Sequence, residues 1–524
     1  MDKILIAYNL IRKGESLNKQ LCNDIICSDE IKDFQLSSLL VMLYYKKCND
    51  FEIELKKQIK KRIGNIYYEI LEKNRIIKQN FEQEMIYLVK NQLPIGKGNF
   101  ELLIKKYIED NLDLNFFSFW LMVVVFEGLS EEDVGFFTEA MIQHDEIIDY
   151  RNYYKKNEYF FIRRYPTGGL SEKTALILPS LLAAASKDFK IKSNFLVAKS
   201  LGYTGGTIDK LSALDGFNPP YDKKIIKNIL DEFGVVMSCT NKSIAYADKK
   251  LYSFRSITGT VESIPLIVSS IASKQLSIPC DYLLMDIRYG EFAFIKDKNK
   301  GQILGEALNK IFQENMQSSD FLLTKADKPT GDSIGNILEI IEALDIMKYK
   351  FNTSLFKKES LYEQFEIVLK FFENLMSHYE KKETNFWKDY AINLFKNRKV
   401  EESFYCLLKY HGVKFYEIEK LRKDSYEYIR ERNMTKIVSS KAGFIKTIKY
   451  DDLGFFVNYY INSLDFGKNS LSNGGIILKT DINETVEKGQ TLCEVYSKFL
   501  LTDNIKKDIQ KCFIIEDINM KIKF

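Results

Sequence analysis

Histidine is scarce in this chain: three in 524 residues, at His144, His378 and His411, far apart and without His-x-x-x-His spacing. That scarcity argues against a zinc centre, whose ligands must be gathered. It also leaves a Ser-His-Asp triad few histidines to choose from. Each of the three reads as a surface or helix-end residue. Cys-x-x-Cys pairs are missing too. The eight cysteines are scattered from Cys22 to Cys512, which in a chain of this length reads as reduced thiols in a cytoplasmic protein. Long apolar runs are absent. The start has none long enough for a signal peptide, and the most apolar stretch, 116–126, is about half a membrane span and predicts a buried helix. Excess charge of one sign is lacking: 76 basic against 72 acidic side chains leave a net charge of +4, so nothing demands a nucleic acid or a membrane as partner. Proline occurs only eight times; with abundant Lys, Ile and Asn, that reads as compositional bias.

What remains is the composition of a soluble globular protein, 45% hydrophobic and 28% charged. The length exceeds one core, so two or three domains are expected. Residues 1–95 read as a helical N-terminal extension and 96–155 as a helical domain segment, with apolar positions recurring at three and four, as in Leu39, Leu40, Leu43 and Tyr44. Within them, 33–52 parallels 113–133: each is an apolar helix, a tight turn and a capped acidic helix start. Either this is an internal repeat or two amphipathic helices look alike.

From 156 to 340 the texture changes. Phe160-Phe-Ile-Arg-Arg164, Tyr282-Leu-Leu-Met-Asp-Ile-Arg288 and Asp320-Phe-Leu-Leu-Thr324 each precede glycine turns and helical patterns. Strand, glycine turn and helix predict an α/β domain around a mostly parallel sheet, with ligands at the carboxyl ends of its strands. Residues 341–435 return to amphipathic helix. Residues 436–524 alternate short strands with turns, including Val486-Glu-Lys-Gly-Gln-Thr-Leu-Cys-Glu-Val495, and predict a small β-rich C-terminal domain.

Two glycine loops stand out in the α/β segment. Thr167-Gly168-Gly169 precedes Glu172 and an apolar helix. Thr204-Gly205-Gly206-Thr207 precedes a helical pattern starting near Asp209. Glycines let backbone N–H groups turn inward, and a helix start adds partial positive charge, so the pair suggests an anion site. Arg163 and Arg164 lie just upstream of the first loop; the alternative for them is a solvated strand end.

A second constellation is Tyr252, Arg255, Ser270 and Lys274: an aromatic face, two cations and a hydroxyl, which suit a pyrimidine ring. Ser270 and Lys274 are four apart and share a helix face. Pro265 starts or interrupts that helix, and Arg255 is expected to approach from the preceding loop. A pyrimidine leaving a sugar develops negative charge over O2, N3 and O4, and fixed cationic donors there lower the barrier. On spacing alone, Lys274 equally reads as a surface lysine and Ser270 as an ordinary helix residue.

Longer motifs carry a resemblance. Leu201 to Phe217 is similar to a Leu-Gly-His-Thr-Gly-Gly-Thr-Leu-Asp-Lys-Leu-x-x-x-x-Gly-Phe stretch, with Tyr203 in place of the histidine. Ala247-Asp-Lys-Lys-Leu-Tyr252 resembles Pro-Ala-Asp-Lys-x-x-Tyr, and 324–336 resembles Thr-Asp-Met-x-x-Pro-x-Gly-x-x-x-Gly-Asn. Gly128-Leu-Ser-Glu-Glu and Thr138-Glu-Ala-Met141 resemble a helical segment of the same family, the thymidine and pyrimidine-nucleoside phosphorylases. The resemblance runs from about residue 97 to 515. It implies a helical domain and an α/β domain hinged around an active-site cleft, a C-terminal appendage, and a homodimer. It implies a pentosyltransferase acting on a nucleoside or nucleotide, with inorganic phosphate as co-substrate and no other cofactor or metal.

By position, Tyr252, Arg255, Ser270 and Lys274 match the base-binding residues, with Arg255 and Lys274 also catalytic. Thr207 matches a phosphate-contacting threonine. The remaining anion-binding candidates are Arg164, Thr167, Gly168, Gly169, Gly205 and Gly206. The family motif Lys-His-Ser-Thr-Gly-Gly here reads Arg164-Tyr165-Pro166-Thr167-Gly168-Gly169. Tyr165 therefore stands where a histidine protonates the base or steadies the sugar, and a phenol of reference pKa roughly 10 is a reluctant proton donor. Three phosphate-contacting serines become Pro166, Ala175 and Val197, and Gly-Ser-Gly-Ala-Phe becomes Gly290-Glu-Phe-Ala-Phe294. At roughly 1.5–3 kcal/mol per bond to a charged group, three lost hydroxyls remove about 4–9 kcal/mol of phosphate binding. Lys173, Lys199 or waters are partial compensations. The alternatives are a hydrolase, a transferase to another acceptor, a nucleotide-specific phosphorylase or a non-catalytic nucleoside sensor.

Overall fold

The computed structural model describes residues 3–77, 79–154, 158–199, 205–239, 244–461 and 474–517. They divide into two units, each discontinuous in sequence: residues 1–148, 241–279 and 306–315 in one, and 149–240, 280–305 and 316–524 in the other.

The first unit is helical. Its centre holds the helix Leu114–Glu127, buried without a break from Phe116 to Val124, and the helix Asp33–Tyr45, buried from Gln35 to Leu43. A helix apolar on every side must be enclosed. The two meet at small residues, where Ser38 Oγ lies 2.6 Å from Ser118 Oγ. Each is followed by a turn and an acid-led helix. Asn49 caps Asp50–Ile63 through the Glu52 amide, with a reciprocal bond from the Asn49 amide to the Glu52 carboxylate. Ser130 caps Glu131–Ile142 through the Asp133 amide. The parallel between 33–52 and 113–133 thus extends to their local structure.

The helices Tyr246–Thr258 and Ile264–Leu276 belong to this helical unit, although in sequence they fall inside the 156–340 stretch assigned to the α/β domain. Their apolar face explains the placement. Phe254 stacks on Phe117 with centroids 5.7 Å apart and 7° between planes, and lies against Phe34 and Tyr107.

The second unit is built on a parallel sheet in the order β3-β2-β1-β4-β5, with β1 at Phe160–Pro166, β2 at Ile191–Val197, β3 at Val235–Cys239, β4 at Tyr282–Tyr289 and β5 at Ser319–Lys325. All seven residues of β2 are buried, as expected for strands covered on both faces. The chain steps from β1 to β2 and β3 on one side, and β4 and β5 lie on the other. The junction of β1 and β4 is therefore the topological switch point, where ligands of such sheets gather. The register aligns Tyr165 with Met285 and Pro166 with Asp286 at the carboxyl ends. The three strands expected from the sequence are β1, β4 and β5.

Helices fill 336–430, beginning with Asn336–Met347. The C-terminal part is antiparallel, as its alternating pattern predicts. One sheet runs β6-β9-β11-β7, with β6 at Ser333–Ile334, β7 at Asn433–Val438, β9 at Gly475–Leu478 and β11 at Thr491–Ser497. The other runs β10-β8-β12, with β8 at Gly443–Ile448, β10 at Thr485–Val486 and β12 at Phe513–Glu516. Among the described residues, no helix is long and apolar enough to cross a membrane.

Candidate base-binding and anion-binding residues

In the first unit the four base-site candidates come from two consecutive helices. Tyr252 and Arg255 lie on Tyr246–Thr258; Ser270 and Lys274 lie on Ile264–Leu276, which carries Pro265 in its first turn. Asp248 links them. Its carboxylate accepts the Ser270 hydroxyl hydrogen bond and pairs with the Lys274 ammonium at 3.0 Å, while Lys274 Nζ lies 5.6 Å from the centroid of the Tyr252 ring. Asp248 is 2% exposed, whereas Lys274 and Tyr252 keep part of their surface. Ser270 and Lys274 do share a helix face, and the face is fixed by a buried counter-ion. In the sequence Asp248 stands out only as part of the Ala247-Asp-Lys-Lys-Leu-Tyr252 motif. The available signal was its position four residues before Tyr252, which places both on one side of the helix.

Arg255 is on the last turn of its helix, not on a preceding loop. It is 1% exposed. Its Nε donates to the Thr260 carbonyl at 3.2 Å, and its two terminal nitrogens donate at 2.9 Å to Val261 and to Leu266. The guanidinium thus stitches the end of one helix to the start of the next. Burial pushes its pKa down to about 10 against the opposing charge of Asp248. Three of its five N–H donors serve these carbonyls.

Beside this cluster lies Asp145. It accepts from the Tyr246 amide at 2.6 Å and from the Ser277 hydroxyl at 3.3 Å, so it touches the beginning of one helix and the end of the other. Burial raises its pKa to about 6, with the Asp248 charge adding to that and the amide and hydroxyl bonds opposing it.

In the second unit, Arg164 and Tyr165 sit on β1. Neither arginine of the pair is a solvated strand end. Arg163 is 1% exposed and donates to the Asn194 carbonyl at 3.3 Å. Arg164 is 3% exposed, donates to Glu172 at 3.1 Å and to Asp286, and lies 4.6 Å from the centroid of the Phe371 ring. Burial alone would raise the Glu172 carboxyl, but Arg164, then Lys210 and Arg288, hold it at about 2. Arg164 is therefore a cation already matched by two carboxylates. The partly exposed Tyr165 follows it towards the carboxyl end of β1.

The Thr167–Gly169 loop continues β1. The Thr167 amide donates to the Asp286 carbonyl, and its Oγ1 accepts from the Arg288 amide, both at 2.9 Å. Gly168 has φ +94°, and a Cβ on Gly169 would stand 3.3 Å from the Arg288 guanidinium. The backbone conformation favours glycine at 168, and a side chain at 169 would press on the Arg288 guanidinium. Arg288, 3% exposed, also donates to Thr330 Oγ1 at 2.9 Å. It lines a cavity of about 30 Å³ with Glu172, Thr174, Asp286, Lys328 and Glu363. That volume suits one water molecule.

The second glycine loop is described from Gly205 onward; Leu201 to Thr204 lie outside the described residues. Gly205 and Gly206 lead into the short helix Thr207–Leu211, and a Cβ on Gly205 would stand 3.1 Å from the Asn336 amide oxygen. Lys210 joins the two loops: it donates to the Glu172 carbonyl and pairs with Glu339 at 3.1 Å, and Glu339 also accepts from Ser171. Lys173, suggested as a phosphate substitute, is fully buried, paired with Glu342 at 3.1 Å and donating to the Thr330 carbonyl. Pro166, Ala175 and Val197 bring no hydroxyl. Of the histidines, His411 is 1% exposed and bonded to backbone of Leu407 and Met237, and His378 stacks on Tyr282 at 3.7 Å. Among the described residues, no three His, Cys, Asp or Glu side chains gather as a metal site.

Residues 161–378 match the family described as "Glycosyl transferase family, a/b domain". The chain is 27% identical over 438 residues to a thymidine phosphorylase of Mycoplasmoides pirum, covering 82% of this chain and 99% of that one. It is 27% identical over 407 residues to a pyrimidine-nucleoside phosphorylase of Staphylococcus aureus (strain USA300), covering 76% of this chain and 87% of the other. The chain is thus similar to both phosphorylases over most of its length. Among solved structures, the anthranilate phosphoribosyltransferase of Thermus thermophilus covers 64% of this chain and 99% of its own, with a TM-score of 0.44 and 12% identity. That likeness is too slight to build on.

Proposed function

We propose that this chain is a pentosyltransferase that cleaves the N-glycosidic bond of a pyrimidine nucleoside or deoxynucleoside. The observation that carries the reading is the Asp248 cluster, which holds a hydroxyl and an ammonium beside a tyrosine ring, in a chain related over most of its length to pyrimidine-nucleoside phosphorylases. In this reading the base lies against Tyr252, and Ser270 and Lys274 donate to its carbonyl oxygens. The Arg255 guanidinium, buried and bonded to three carbonyls, acts on the same ring through its charge. As the glycosidic bond lengthens, negative charge moves onto the base, and Lys274 and Arg255 stabilise it in place. Tyr165 supplies the proton donor or steadies the sugar.

The acceptor is the open half of the reaction. Hydroxyls are absent at Pro166, Ala175 and Val197, and Arg164 is matched by Glu172 and Asp286. That pairing favours a second reading, in which water or an acceptor other than inorganic phosphate takes the sugar. Thr167, Gly168, Gly169, Gly205, Gly206 and Thr207 remain the candidate anion contacts. The proposal includes a homodimer acting in the cytoplasm without a metal or organic cofactor. Its support is the family resemblance read from the sequence motifs.

Incubating the pure protein with thymidine, uridine and their monophosphates, with and without phosphate, tests the reading. Base release that needs phosphate supports a phosphorylase. Release without phosphate supports the second reading. Tight binding without turnover would mark a sensor and overturn the catalytic proposal.

A further inference from the structure

We propose that the N-terminal extension is a positioning element for the base site, acting through Tyr8, Arg12 and Gln35 on the turn that Arg255 holds. The inference rests on the reading that Arg255 engages the base. The segment from Ile257 to Leu266 takes in the end of one helix, the connection at 259–263 and the start of the next, the two helices that carry the base-site candidates. From one side Arg255 takes the carbonyls of Thr260, Val261 and Leu266. From the other side the extension takes carbonyls that Arg255 does not. Arg12 donates to the Gly259 carbonyl and lies 3.8 Å from the Glu262 carboxylate. Gln35 Nε2 donates to the Ile257 carbonyl at 3.1 Å.

Tyr8 locks the arrangement. Its hydroxyl donates to the Gln35 carbonyl at 2.7 Å, and its ring lies so close to Gly259 that a Cβ there would stand 2.6 Å from Cδ2. Gly259 has φ +68° and ends its helix in the left-handed region. A glycine is needed twice over at this point: for the backbone turn and for the tyrosine. The side chains that meet this turn come from residues before about 97, outside the stretch that resembles the phosphorylases. The extension therefore shares with Arg255 the hydrogen bonds that hold the turn, and so helps to set where the guanidinium stands. A displacement of that group changes how well the base is met, with no change to the groups that meet it.

The test compares wild type, Arg12→Ala and Arg12→Lys in the full chain. Nucleoside affinity is read by calorimetric titration, with KM and kcat where turnover is found, and amide exchange is read over residues 257–266. Arg12→Ala should speed exchange in that segment, weaken nucleoside binding about tenfold and lower kcat where turnover is found, and Arg12→Lys should restore much of each. Tyr8→Phe, which keeps the ring and loses the hydroxyl, should show a smaller shift in the same direction. Unchanged exchange would overturn the contact. Faster exchange with unchanged affinity would overturn the positioning role and leave a purely structural one. If wild type binds no pyrimidine nucleoside or nucleotide, the functional reading fails, and the positioning claim falls with it. Intact wild-type binding with an unaffected variant overturns the positioning claim alone.

Discussion

The pair of Asp248 and Lys274 offers a quantitative test of how the base site is built. Their charged atoms are 3.0 Å apart, and Lys274 is 15% exposed in its side chain against 2% for Asp248. Coulomb attraction at that separation is about 5 kcal/mol at an effective dielectric constant of roughly 20, and desolvation takes back more than half. A coupling of about 2 kcal/mol is expected, within the range of hydrogen bonds to charged groups. Lys274→Met strands a buried carboxylate that keeps the Ser270 hydroxyl as donor and should cost about 3 kcal/mol. Asp248→Asn leaves a cation that still reaches water and should cost about 2 kcal/mol. The double variant should lose about 3 kcal/mol, where independent losses would give about 5. The two tryptophans make the assay specific, because Trp120 lies in the first unit and Trp387 in the second. In a Trp387→Phe background, urea unfolding followed by Trp120 emission reads the first unit alone. A double-mutant cycle that closes additively, within about 0.5 kcal/mol, would refute the pair and with it the argument that Asp248 presents Lys274.

Other perturbations have defined outcomes. Arg164→Met removes the cation bonded to both Glu172 and Asp286, leaving them only the more distant charges of Lys210 and Arg288, and should destabilise the second unit by about 3 kcal/mol, read by Trp387 emission during urea unfolding; a loss below about 1 kcal/mol would contradict the buried triad. Asp345 is raised to about 6 by burial, so the folded state holds its proton more tightly than the unfolded chain, and this group's favourable contribution is lost as pH rises from about 4 through 6. Asp345→Asn should therefore gain stability relative to wild type at pH 7.5 over pH 4.5; equal differences at the two values would contradict it. Gly331 has φ +82°, and a Cβ there would overlap a Glu342 carboxylate oxygen, so Gly331→Ala should lower the unfolding temperature of the second unit, and an unchanged melting curve would show that the Glu342 network yields.

Much of this architecture was legible in the sequence because it rests on local signals. The apolar runs at 160–164, 282–288 and 320–324, each closed by glycine turns, are β1, β4 and β5, and the alternation after 436 is the antiparallel part. The spacing of Ser270 and Lys274 pointed to their common helix face. The rest depended on partners remote in sequence. Glu172 and Asp286 lie 8 and 122 residues from Arg164, so a cation that reads as ready for an anion is already matched. The guanidinium of Arg255 is turned onto backbone carbonyls, which no side-chain pattern reveals. The two helices after Ala245 sit among the N-terminal helices because Phe254 finds Phe34, Tyr107 and Phe117. That is a choice of packing partner, and helical periodicity does not encode it.

The most direct measurement of the central claim is a calorimetric titration of uridine and thymidine, and of their monophosphates, into wild type and Lys274→Met under conditions where both are folded. The expected result is saturable binding by wild type that weakens at least tenfold in the variant, the effect of one lost charged hydrogen bond. No binding of any of these ligands to wild type, or equal affinity in both proteins, would contradict a pyrimidine held by Ser270 and Lys274 beside Tyr252.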